Sequence, residues 1–226
     1  MKSAIIIFLY LLTGILYLFF QSWQSVAMEF LLKSLIIPVL IVLFLVNIRP
    51  AGNVLHWFFL AALIFSWLGD VLLDIPKSAG DFFIPGLLSF LSAHIMYLTL
   101  FFKTPGPGLI NWKRIYLLLP VICYGVLLVC YLYPGLGLMR LPVILYASAI
   151  LIMVTSTINR FRKVNRLSYY LVLAGSVLFL VSDSGIAISR FHHYFKGSSL
   201  FIMSTYIMAQ LLIVAGYIYQ ERKIPA

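Results

Sequence analysis

Asp70, in the stretch Ser66-Trp67-Leu68-Gly69-Asp70, and Asp183, in Val181-Ser182-Asp183-Ser184, are carboxyl groups set inside long apolar runs. A charge carried to the centre of a bilayer costs about 2.5–3.5 kcal/mol, so such residues normally face a polar cavity and have a role there. The chemistry open to two carboxyls in one low-dielectric pocket is proton transfer: the pair shares a proton, and one member acts as acid while the other is a base. Four more polar residues fall inside apolar runs: Lys33, His94, Tyr206 and Gln210. Each has a plainer reading as well. Lys33 can snorkel toward headgroups, and the other three can hydrogen-bond between helices without chemistry. The aspartates can themselves form a structural pair with Lys33. Ser66, one turn before Asp70, and Ser182, beside Asp183, are placed as hydrogen-bond partners. Arg190, near His192 and His193 in a basic loop, can hold a phosphate.

Membrane helices must position these residues. Of 226 residues, 63% are hydrophobic and 10% charged, against roughly 25% charged in a soluble domain. Stretches of about 20 residues, the length that crosses a bilayer, run at 3–20, 26–47, 54–74, 82–102, 114–133, 138–158, 168–189 and 199–219. The expected fold is all-α, a polytopic membrane protein of eight transmembrane helices forming a single domain over residues 1–226. The connections, Arg49 to Gly52, Pro76 to Gly80, Thr104 to Asn111, Pro134-Gly135, Arg160 to Arg166 and Arg190 to Ser198, are too short to hold another. The first run follows Lys2 without a small-residue cleavage pattern and reads as a helix rather than a signal peptide. Pro38, Pro120 and Pro142 read as kinks. Cys123 and Cys130 read as buried packing residues.

The net charge of +10 follows topology. With eight spans both termini share one side, which gathers eleven of the sixteen Lys and Arg residues, Arg160, Arg162, Lys163 and Arg166 among them; Lys77, Arg140, Arg190 and Lys196 lie opposite. That asymmetry places both termini in the cytoplasm, in a bacterial inner or a plasma membrane, and points to anionic lipid rather than nucleic acid as the partner. Asp74, Asp81 and Glu221 sit at loop or tail positions where solvent accounts for them. At about 1.5 Å per residue, Asp70 and Asp183 lie roughly 6–9 Å inside the boundary opposite the termini, with Lys33, His94, Tyr206 and Gln210 roughly 10–18 Å below it. One chamber can gather all six. Ser92-Ala93-His94-Ile95-Met96 also reads against Ser204-Thr205-Tyr206-Ile207-Met208 at an offset of 112, and Asp70 precedes Asp183 by 113. A 4+4 parallel repeat, with its site at the repeat interface, is the expectation.

Taken together, Lys33, Phe65-Ser66 with Gly69-Asp70, the series Gly86, Phe90, His94 and Tyr97, Ser182-Asp183, and Tyr206 with Gln210 resemble the YhhN/TMEM86 family of eight-span membrane proteins. Its characterised members are lysoplasmalogenases. One departure is visible: the family often has Lys-Pro in the second helix, whereas Lys33 is followed by Ser34 and the proline comes at Pro38. The resemblance implies hydrolysis of the vinyl ether bond of a lysophospholipid substrate, giving a fatty aldehyde and a glycerophospho-headgroup, with no cofactor or metal. Asp70 and Asp183 would be the acid/base pair in either order. His94 would orient one of them or the water, Tyr206 and Gln210 would bond the glycerol or the water, Tyr97 would support them, and Lys33 or Arg190 would attract the phosphate.

Three rivals share parts of this pattern. An intramembrane aspartyl protease would carry Gly-x-Gly-Asp, but Trp67 occupies the first glycine's place. A zinc lipid hydrolase would have to use Asp70, Asp183 and His94. A proton-coupled carrier also needs membrane carboxylates, although the broken helix pairs of many carriers are not evident.

Overall fold

The computed structural model describes residues 2–23, 25–48, 52–75, 80–110 and 112–222. Arg49 to Ala51, Pro76 to Ala79, Asn111 and Lys223, which figured in the loop and charge assignments, lie outside the described residues. The described residues hold eight helices long and apolar enough to cross a membrane and no strand. In chain order the α-helices are α1 (Lys2–Ser22), α2 (Val26–Asn47), α3 (Val54–Asp74), α4 (Phe83–Phe102), α5 (Leu119–Leu132), α6 (Arg140–Ile158), α7 (Arg166–Phe191) and α8 (Ser198–Arg222), the fifth span being Arg114–Gly135, which contains α5 and 3-10 residues on either side of it. Helices satisfy every backbone group internally, which is what a lipid solvent demands. The bounds of α2 and α3 match the apolar runs to the residue. The fifth span differs: a 3-10 stretch over Trp112–Leu118 precedes α5, which opens with Pro120 in its first turn. Proline fits there because its missing N–H would have no helical partner anyway. Pro142 likewise lies in the first turn of α6, so of the three isolated prolines only Pro38 is interior to a helix.

The chain divides into two compact units, Met1–Leu100 and Phe101–Ala226. In the first, α3 and α4 interlock through small residues. A Cβ on Gly69 would lie 2.5 Å from the Phe90 ring, and one on Gly86 would lie 2.6 Å from Leu73. Between them Ser89 Oγ donates to the Phe65 carbonyl at 2.7 Å. The spacing of Phe65, Gly69, Gly86 and Phe90 is thus a packing device, and it brings Asp70 one residue from the closest approach. Asn53 caps α3 through its side-chain oxygen, and Asp81 accepts from Phe83 N at 3.1 Å at the start of α4. Asp81 is therefore a helix cap as well as a solvated carboxylate.

Pro38 removes the N–H that would bond the Ser34 carbonyl. Trp67 of α3 takes over, its indole Nε1–H donating to Ser34 O at 2.8 Å. The same bond ties α2 to α3 at the residue next to Lys33 and one turn from Asp70. Trp67→Phe is expected to lower stability by about 1–3 kcal/mol, because the carbonyl loses the indole donor. In a Pro38→Ala background, where the backbone N–H returns, the same change should cost little. Thermal unfolding of the four proteins in detergent checks this, and equal losses in both backgrounds would refute it.

In the second unit α7 and α8 form the tightest pair. Ser168, Gly175 and Ser182 recur every seven residues on α7 and face Gly216, Ala209 and Ile202, spaced the same way on α8. A Cβ on Gly175 would lie 2.8 Å from the Ala209 carbonyl, one on Gly216 would lie 3.1 Å from the Ser168 carbonyl, and Ser182 Oγ donates to Ile202 O at 2.9 Å. Small residues let backbones approach where lipid supplies no hydrophobic drive between helices.

Two assignments from the sequence change, one of a loop residue and one of a helical pair. Arg160, counted with the headgroup-facing cations, is 2% exposed, its guanidinium 5.0 Å over the Phe101 ring. Burial pulls its pKa down to about 10, so it still carries its charge at neutral pH. Cys123 and Cys130 are exposed on α5 rather than buried.

Candidate functional site

In the first unit Asp70 is 3% exposed on α3, with Ser66 one turn earlier at 0%. Ser66 Oγ has no hydrogen-bond partner among the described residues. Fully buried Tyr10 of α1 lies within electrostatic range of both Asp70 and Tyr97. His94 is fully buried on α4. Tyr97 belongs to an aromatic column: its ring meets Phe59 edge-on at 5.7 Å, Phe59 stacks on Phe44 at 5.0 Å, and Phe44 meets His56 at 6.4 Å.

Lys33 is neither snorkelled nor left for Asp70 alone. Its Nζ lies 2.6 Å from Asp74 Oδ1, with the side chains 10% and 27% exposed. Asp74, assigned to solvent from its place at the end of an apolar run, is the partner of the intramembrane cation. It lies one turn beyond Asp70, so α3 presents two carboxylates on one face. Glu29, one turn before Lys33, shares its electrostatic surroundings with Lys33 and Asp74. Tyr17 accepts from Gln21 Nε2 at 2.9 Å within the same neighbourhood, and Gln21 Oε1 is buried with no partner among the described residues. This end of the unit, nearest the α1–α2 and α3–α4 connections, is polar in depth.

In the second unit Asp183 is 8% exposed on α7. Tyr146 of α6 donates its hydroxyl to Asp183 Oδ2 at 2.5 Å. Both residues line a cavity of about 40 Å³ walled otherwise by Ser184 and apolar residues of α5, α6 and α7. That is room for water beside a carboxylate. One residue further along α7, Ser184 accepts from the Tyr124 hydroxyl at 2.7 Å and donates to Leu180 O. Ser182 points to α8 instead, bonded to the Ile202 carbonyl. Tyr206 packs edge-on against Phe179 at 5.4 Å, one turn before Asp183, and Gln210 Nε2 donates to Tyr206 OH at 3.4 Å. Arg190 is exposed in the last turn of α7. Beyond it His192 stacks on Tyr131 at 4.1 Å, His192 and His193 bring their Nδ1 atoms to 2.8 Å, and Arg140 lies 4.4 Å over Tyr133.

Sequence reasoning missed Tyr146, whose signal is that it is the only aromatic residue in α6. Asp74 was visible but misread. Among the described residues no three of His, Cys, Asp and Glu gather as a metal site would require.

Comparison with known proteins adds to this geometry. Residues 28–217 match the model of the YhhN family. A protein named lysoplasmalogenase from Mycobacterium bovis is 29% identical over 179 residues, covering 78% of this chain and 66% of the relative. Lysoplasmalogenase TMEM86B from Mus musculus is 31% identical over 201 residues, covering 87% and 80%. Lysoplasmalogenase TMEM86A from Bos taurus is 34% identical over 155 residues, covering 67% and 61%. The chain thus spans just under two thirds of the length of the mycobacterial relative. No solved structure matches the chain.

Proposed function

Because the chain belongs to the YhhN family, we propose that it hydrolyses the vinyl ether bond of lysoplasmalogens, with Asp70 as general acid and Asp183 as general base. The observation that carries the assignment is the Asp183 carboxylate, held by Tyr146 and lining a cavity large enough for water. Protonation of the vinyl ether at its β-carbon yields an oxocarbenium ion at the carbon bearing oxygen. Water adds there as Asp183 takes its proton, and the hemiacetal collapses to a fatty aldehyde and the glycerol hydroxyl of the headgroup fragment. In that collapse Asp183 gives its proton to the departing glycerol oxygen and Asp70 takes one from the hemiacetal hydroxyl, so both groups are reset and the cycle needs only Brønsted groups.

The supporting residues take narrower parts. Exposed Arg190, in the last turn of α7, is the candidate partner for the lipid phosphate. Tyr206 and Gln210 stay as hydrogen-bonding candidates for the glycerol, and His94 for orientation of Asp70. Both termini face the cytoplasm in this reading, on the charge asymmetry. The 4+4 repeat is supported by a boundary between compact units that falls in the last turn of α4.

Aldehyde release from a lysoplasmalogen by purified protein in detergent tests the reading. The expected result is release that a chelator leaves unchanged. Lysolipid bound without aldehyde would instead make the protein a carrier or binder.

A further inference from the structure

We propose that the trough between α5 and α6 seats the single hydrocarbon chain of the lipid and leads its ether end to Asp183. The proposal rests on the lysolipid reading above and names where that lipid lies. The trough has a volume of about 500 Å³ and is lined from Leu118, the last residue of the 3-10 stretch, to Cys130 on α5 and from Ile144 to Thr155 on α6. At about 1.5 Å per residue these stretches run roughly 16–18 Å. That is about half of a ~30 Å hydrocarbon core, the depth of one leaflet. Its lining is almost wholly apolar, and the hydroxyl of Ser148 is already bonded to the Ile144 carbonyl at 2.8 Å.

What distinguishes this trough from any lipid-facing groove is where it ends. It shares Gly125, Val129, Ala147 and Leu151 with the cavity that holds Asp183 and Tyr146. At this shared wall Gly125 and Ala147 carry no atom beyond Cβ, and the Leu151 side chain lies over Gly125, in the space where a Cβ would stand. Past the cavity, at the same ends of the helices, stand Tyr131 with His192 and Tyr133 with Arg140. Along one line the second unit therefore offers an aromatic and cationic rim, a carboxylate beside a water-sized space, and an apolar trough. A one-chain ether phospholipid has its phosphate, its ether carbon and its hydrocarbon in that order. A trough bounded by two helices holds one chain, so a diacyl lipid would leave its second chain unseated. The preference for lysolipids follows from the number of troughs rather than from recognition of the free hydroxyl.

The probe for the test is a saturated alkyl-ether lysophospholipid with a diazirine near the chain end, which binds but has no vinyl ether to cleave. Photolysis with the full-length protein in detergent should place crosslinks within 118–130 and 144–155. Ala147→Phe, which adds bulk to the wall shared by trough and cavity, and Ser148→Trp, which fills the exposed edge of the trough, should each weaken probe binding about tenfold, the loss of roughly two buried methylenes. Crosslinks spread evenly over the lipid-facing helices and undiminished by either variant would overturn the proposal. Since the probe is not a substrate, crosslinks in the trough with no aldehyde from wild type would remove the hydrolase reading and keep the chain seat. Aldehyde release with unchanged KM and chain-length dependence in both variants would do the reverse.

Discussion

Asp183→Asn and Asp70→Asn are each expected to lower aldehyde release by about 10²–10⁴-fold, the usual contribution of a positioned acid or base. Asparagine keeps the size and hydrogen-bonding span of the carboxyl but neither takes nor gives the proton. Both variants should therefore bind the alkyl-ether lysolipid as wild type does and unfold at a similar temperature. Asp183→Asn also replaces the acceptor of a short Tyr146 bond with an amide. Tyr146→Phe, which frees the carboxylate to rotate but leaves it present, should fall between, with kcat reduced and KM little changed. Full activity in either aspartate variant would sink the pair.

The second large effect concerns Lys33 and Asp74. Lys33→Met removes the ion-pair partner of a carboxylate about a quarter exposed, and should lower stability by about 1.5–3 kcal/mol, the range for hydrogen bonds to charged groups. Adding Asp74→Leu should recover most of the loss, since an apolar pair of similar volume is often as stable as a buried ion pair. Unfolding in detergent reads the stability, and KM for the lysolipid reads the function. Recovery of both in the double variant means that Lys33 is a structural cation. Stability recovered with KM still raised would return Lys33 to the phosphate.

The limits of the helices were legible because bilayer thickness sets them, and any interior charge disturbs such a run visibly. Asp70 and Asp183 stood out for that reason. Asp74 did not, because the last residue of an apolar run looks the same whether it turns to solvent or back toward a lysine on the next helix. That choice depends on the rotation of α3 against α2, which the Trp67 bond to Ser34 O helps to set. The run itself contains no record of it. Tyr146 was hidden differently: tyrosine is ordinary in membrane helices, and only the packing of α6 on α7 turns its hydroxyl onto Asp183. The motif spacing of Gly69 and Phe90 was legible as resemblance, and its cause, a ring laid over a missing Cβ, needed the paired helices.

The seam between α7 and α8 has a mechanical side. Eleven buried residues and close backbone contact make α7 stiff, whereas α5 buries only Gly125 and Leu132. Leu132, with Leu136 and Val143, clamps the end of α5 nearest the carboxylate. Its other end, entered through a 3-10 stretch, is the compliant one. In the proposed seat a longer chain would splay that far end like a hinge leaf while the clamped end keeps its distance to Asp183. The proposed position of cleavage would thereby be insulated from the length of what is cleaved.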